Sequence, residues 1–208
     1  MKLYDKHILP NLVHMACSQR PAMLQREKIV HLAHGRVLEI GIGSGLNLTY
    51  YDADKVHKLW GLDPSPEMIK MAETRLGPVN FEVEFIVLPG EQVPLQNSFV
   101  DTIVVTYTLC TIPDACRALQ QMARVLKPDG ELLFCEHGVA PDASVQRWQN
   151  MLNPVWKRIG GGCHLNRDIP ELIEQGGFRI REMQAMYIPG WRPASFNYWG
   201  RATLPESQ

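Results

Sequence analysis

Three glycines and two carboxylates are the residues whose types and spacing first suggest chemistry. Residues 36–40 are a mostly apolar run holding Glu39, and Gly41, Gly43 and Gly45 follow, with Ile42, Ser44, Leu46 and Asn47 among and after them. Such a run predicts a buried strand that delivers the backbone into a tight turn where a ligand can come close, with a helix beginning near Leu46. Asp63 lies 22 residues after Gly41, at the end of a second apolar run over residues 56–62. A carboxylate at that strand end is placed to accept hydrogen bonds from ribose hydroxyls. Ser65 can cap a following helix with Pro66 at its first position, which would hold Met68 near an adenine ring. The same Asp-Pro-Ser-Pro run is also an ordinary turn and cap.

The loop discriminates between ligands. A dinucleotide fingerprint needs glycine at its sixth position, where Leu46 stands, and no Lys-Ser/Thr pair closes a triphosphate loop. Residues 37–47 hold no Lys or Arg, and Glu39 stands two residues before Gly41. A pyrophosphate is repelled there, whereas a ligand carrying an ammonium and a sulfonium is not.

The run Glu39-Ile40-Gly41-Ile42-Gly43-Ser44-Gly45 resembles the acidic-x-Gly-x-Gly-x-Gly motif of the class I S-adenosylmethionine-dependent methyltransferases. Residues 94–101, containing Ser98-Phe99-Val100-Asp101, and the run Leu126-Lys127-Pro128-Asp129-Gly130 resemble two further signatures of that superfamily. Within it the chain is most similar to small-molecule methyltransferases of the ubiquinone/menaquinone type. Leu109-Cys110-Thr111-Ile112, Glu136-His137 and Gly162-Cys163-His164-Leu165-Asn166-Arg167 resemble the thiol methyltransferase-like proteins of animals. The resemblance implies S-adenosyl-L-methionine as cofactor and a doubly wound α/β fold with a seven-stranded, mostly parallel sheet and an N-terminal helical cap. It implies cofactor contacts from Glu39, Gly41, Ile42, Gly43, Gly45, Asn47, Asp63, Pro64, Met68, Gly90, Glu91, Thr106 and Tyr107. One departure stands out: Pro89-Gly90 replaces the usual acidic residue and alanine, so backbone at Gly90 and Glu91, or the Glu91 side chain, must read the adenine.

The elements that must position these groups follow from periodicity. Leu9, Leu12, Val13, Ala16 and Cys17 make one apolar helical face with Pro10 in its first turn, and Pro21 opens a second helix. In the resemblance such helices wall the acceptor pocket, with Tyr4 and His7 as pocket residues, although they can equally just cap the sheet. Strands are expected at 81–87, 102–107 and 131–136, with a core-facing helix after Asp114 stopped at 127–130. Segment 140–167 precedes a helix capped by Asp168, and final strands are expected at 178–186 and 194–203. Segment 140–167 holds Trp148, Trp156, His164, Asn166, Arg167 and three consecutive glycines, which suit a mobile lid or a close backbone approach and equally a plain flexible loop.

His137 ends the fifth strand and, near its ordinary pKa of ~6.5, can serve as a base for the acceptor; His164 is the second candidate. Both can also be loop anchors. Trp148, Asn166 and Arg167 are the acceptor-side candidates, and Arg167 could pair a carboxylate. An aromatic or lipophilic acceptor carrying a thiol, hydroxyl or quinol fits the tryptophans. The rival reading is a module that binds S-adenosylmethionine or its demethylated product without turnover.

The 208 residues suit one domain: a cap over 1–34, a cofactor core over 35–136 and an acceptor side over 137–208. A net charge of -1 offers no basic footprint for a nucleic acid, so a small-molecule acceptor is expected as partner. Five scattered cysteines without a CxxC pair suggest reduced thiols, with neither a disulfide set nor a metal site. No signal peptide and no run near ~20 apolar residues is evident, which predicts a cytoplasmic protein without stable membrane insertion. The oligomeric state is left open.

Overall fold

A computed structural model of the protein describes residues 4–77 and 79–206, apart from the side chains of Asp5 and His7. Its centre is a seven-stranded sheet in the order β3-β2-β1-β4-β5-β7-β6. The strands are β1 (Gly35–Ile40), β2 (Val56–Leu62), β3 (Glu82–Ile86), β4 (Val100–Thr106), β5 (Leu126–His137), β6 (Arg179–Tyr187) and β7 (Phe196–Thr203). The first five run parallel, and β7 is antiparallel to both β5 and β6.

Burial on both faces explains why the central strands read as continuous apolar runs. Successive side chains alternate between two cores: Ile103 and Val105 of β4, with Leu132 and Phe134 of β5, pack in one, while Val104, Leu133 and Cys135 pack in the other. The helices that cover these faces are α1 (Leu9–Cys17), α2 (Arg20–Val30), α3 (Pro66–Glu73), α4 (Ala115–Val125), α5 (Ala143–Ile159) and α6 (Ile169–Gln175). Three of them start where a side-chain oxygen satisfies a free backbone amide: Ser65 accepts from Met68, Asp114 from Arg117 and Asp168 from Glu171. Among the described residues no helix is long and apolar enough to cross a membrane.

Two local expectations are corrected. No helix begins near Leu46; residues 43–50 form consecutive turns through bonds such as Leu48 N to Gly45 O at 3.2 Å and Tyr50 N to Asn47 O at 2.9 Å. The positive φ of Gly43 and Gly45 departs from the helical path, and Asn47 is drawn inward by buried partners. Residues 127–130 are not a break before β5 but a bulge within it, because the β4 pairing steps from Val100–Leu126 to Thr102–Glu131. Segment 140–167, to which the sequence assigns no element, is mostly the helix α5, which continues through Pro154, and the three glycines follow it in a turn.

Candidate active site

The carboxyl ends of β1, β2 and β4 open into one cavity of about 430 Å³, the place where ligands bind in a doubly wound sheet. Its inner wall holds Gly41, Ile42, Gly43, Asp63, Pro64, Met68, Gly90, Glu91, Thr106 and Tyr107, ten of the residues expected from sequence to contact cofactor. Its outer wall is α1, through Leu9, Pro10, Val13, His14 and Cys17, together with Thr111, Ile112 and the run Gly160-Gly161-Gly162.

The turn is shaped by positions that only glycine can fill well. Gly41 has φ +72°, and a Cβ there would lie 2.2 Å from Thr108 Oγ1. Gly43 has φ +54°, and a Cβ there would meet Met68 Cε at 3.3 Å on the cavity side. Asp63 ties this turn to the next: its Oδ2 accepts from Gly43 N at 3.0 Å and its Oδ1 from Ser65 N at 2.8 Å. Burial raises its pKa, and the two amides oppose that rise. Tyr107 directly follows β4 with φ +53°, an uncommon conformation for a non-glycine residue that costs of order 1–3 kcal/mol. It is held there by its hydroxyl, which donates to Asn197 Oδ1 at 2.6 Å, and by the Arg26 guanidinium 4.9 Å from its ring centroid.

Glu39, Gly45 and Asn47 do not line the cavity, contrary to the contact expected from sequence. Both Glu39 oxygens are spent on protein donors, Asn47 Nδ2 at 2.8 Å and Tyr51 OH at 2.7 Å. Asn47 Oδ1 accepts in turn from Arg26 Nη1 at 3.0 Å, and Arg26 also donates to Thr106 Oγ1. In this buried network Arg26 and Thr106 reach the cavity, while Glu39 and Asn47 hold them from behind. Burial raises the Glu39 pKa to about 7 despite the bonds from Tyr51 and Asn47 and the Arg26 charge.

Residues 38–134 match the methyltransferase domain family. The chain is 35% identical over 180 residues to the human (Homo sapiens) thiol S-methyltransferase TMT1B, covering 82% of this chain and 72% of that protein. It belongs to the S-adenosylmethionine-dependent methyltransferases. Rat (Rattus norvegicus) thiol S-methyltransferase TMT1B is 37% identical over 169 residues, 78% of this methyltransferase and 65% of the rat protein, so the chain spans just under two thirds of that relative. A S-adenosylmethionine-dependent methyltransferase from Leishmania major shares the fold with a TM-score of 0.70 at 15% identity, over 97% of this chain and 80% of that one.

The methyltransferase's cavity suits the cofactor of that family on its own chemistry. Asp63 offers charged acceptors for hydroxyls beside a turn with room for a close ligand. Among the described residues Glu91 Oε2 and Arg26 Nε are buried without a partner, one acceptor and one donor on groups that line the same cavity. Arg26 and His14 are site residues that sequence reasoning missed. Neither lies in a motif, and only the packing of α1 and α2 onto the sheet brings them in.

The expected acceptor-side residues do not gather in this cavity. Tyr4 donates to Ile159 O at 2.6 Å, the His7 side chain is outside the described residues, and Trp148 on α5 is 55% exposed. Asn166 Nδ2 donates to Asn150 Oδ1 at 2.7 Å, and Arg167 donates to Leu109 O. His164 gives its backbone amide to Cys110 O at 2.8 Å; burial and the Arg167 charge lower its pKa. His137 lies beside the cavity wall with Nε2 3.1 Å from Cys163 Sγ. The hydrogen bond with Cys110 and the His137 ring hold Cys163 well below the usual thiol range. Cys163 in turn raises His137 against the effect of burial.

Proposed function

We propose that this methyltransferase moves the methyl group of S-adenosyl-L-methionine to the sulfur of a small, apolar thiol. The observation that carries the reading is one cavity whose lining joins charged and polar groups with an apolar surface. Gly43, Asp63, Glu91 and Arg26 supply amides, carboxylates and a guanidinium, while Leu9, Pro10, Val13 and Ile112 supply an apolar surface. The first set matches ribose hydroxyls, an adenine amino group and an amino-acid carboxylate. The second matches a lipophilic acceptor. Support for sulfur comes from the TMT1B relatives, whose names state thiol S-methylation.

When bound, the cofactor supplies a methyl group already activated on a cationic sulfur, so alignment and exclusion of water dominate the protein's task. Asp63 holds the hydroxyls, Arg26 the carboxylate, and α1 with Gly160-Gly161-Gly162 covers the acceptor. A thiol with pKa ~8.5 needs little help to ionise near neutral pH. His14 lines the cavity with Nδ1 2.7 Å from Ser44 Oγ; with Nδ1–H donating to that hydroxyl, Nε2 is the basic nitrogen that takes the proton. Burial and Arg75 lower its pKa and keep it neutral for this role.

The test is release of S-adenosylhomocysteine across matched alkyl and aryl thiols, alcohols, quinols and amines. Turnover confined to the thiols is expected. Calorimetric binding of the cofactor without turnover on any acceptor overturns the catalytic reading, and turnover on alcohols or quinols alone overturns the choice of sulfur.

A further inference from the structure

Two cysteines and a histidine that are remote in the chain meet at one point beside the cavity. Cys110 lies in the turn after β4, His137 closes β5, and Cys163 follows the glycine run after α5. Their three donor atoms all lie within 4.8 Å of one another. The two sulfurs are 3.7 Å apart, and His137 Nε2 is 3.1 Å from Cys163 Sγ. A tetrahedral zinc ion with ~2.3 Å sulfur bonds and ~2.0–2.1 Å nitrogen bonds sets edges of ~3.8 Å between sulfurs and ~3.5 Å between sulfur and nitrogen. The sulfur pair already has that edge, and the His137–Cys163 edge is within a few tenths of an ångström of it.

A second observation points the same way. Glu136 is fully buried next to His137, and its Oε1 accepts from the amides of Thr108 at 2.6 Å and Leu109 at 2.9 Å, which fixes the turn that carries Cys110. Its Oε2 is buried without a partner among the described residues. This buried carboxylate, on the residue before His137 and bonded to the turn that carries Cys110, puts an acidic group with an unmatched oxygen next to the cluster's residues, a setting that a nearby cation would relieve.

We propose that Cys110, His137 and Cys163 bind a thiophilic divalent cation of the zinc class. The soft sulfur ligands select against magnesium and calcium, and three protein ligands leave a fourth position open, as in reactive zinc sites and unlike closed structural ones. The assignment is independent of the acceptor proposed above.

The full-length chain, reduced and stripped with a chelator, is titrated with cobalt(II) and then with zinc(II). One cobalt per chain is expected, with a thiolate-to-cobalt charge-transfer band that zinc abolishes. Cys110→Ser and Cys163→Ser should each weaken binding at least tenfold and diminish the band, while Cys116→Ser leaves it intact. Absence of the band in folded wild-type protein overturns the proposal without any variant. A band that survives both substitutions in variants with unchanged circular dichroism also overturns it.

Discussion

Replacing Asp63 by alanine removes one carboxylate that serves two loops and, in the proposed complex, the ribose hydroxyls. In the protein alone, Gly43 N and Ser65 N lose acceptors now 3.0 and 2.8 Å away. Because the site opens to the cavity, water can replace part of that loss, and the expected destabilisation is about 1–2 kcal/mol instead of the larger cost of two sealed orphans. In the complex, water has less room to compensate, and hydrogen bonds to a charged acceptor contribute ~1.5–3 kcal/mol. Cofactor affinity should therefore fall roughly 10- to 150-fold. Asp63→Asn keeps the volume and one acceptor oxygen and should fall between alanine and wild type. Isothermal titration calorimetry with S-adenosylmethionine, run well below the Tm of each variant, separates binding from stability. An unchanged Kd in folded Asp63→Ala protein would refute the ribose assignment and the orientation of cofactor built on it.

Gly41→Ala places a methyl 2.2 Å from Thr108 Oγ1 at a φ of +72°, so strain and overpacking together should cost about 2–5 kcal/mol in urea denaturation; wild-type stability would show that the turn tolerates a side chain. Glu39 titrates at about 7 in the folded protein against an ordinary 4.5, so its favourable contribution is complete below pH 4.5 and is lost as pH rises through about 7. Glu39→Gln should flatten that part of the stability profile, by at most about 3 kcal/mol, and chemical denaturation at several pH values that shows the wild-type slope in the variant rules Glu39 out as its source.

Much of the fold was legible because the central strands are buried on both faces. β1, β2, β4 and β5 therefore appear as apolar runs with turn residues at their ends, and Ser65 and Asp168 announce α3 and α6 by their caps. α5 escaped because Pro154 interrupts its pattern and because Trp148, Met151 and Val155 face solvent, so its apolar spacing does not mark a core face. The helix near Leu46 failed for a different reason. Two left-handed glycines and an inward Asn47 override the local helical tendency.

What the sequence alone determined is the local chemistry of the ligand turn. Glycines at 41 and 43 and a carboxylate at 63 depend only on backbone conformation and on where a strand ends, properties that short-range pattern encodes. Which acid lines the cavity was decided by tertiary structure, since Glu39 finds Asn47 and Tyr51 within hydrogen-bond reach behind the wall, while Asp63 keeps its cavity face. Tertiary structure likewise brought Arg26 and His14 to the cavity and set Cys110 beside Cys163, 53 residues further along the chain. Such meetings depend on how helices pack on a twisted sheet, and that packing is a sum of many weak contacts with no signature at any single position.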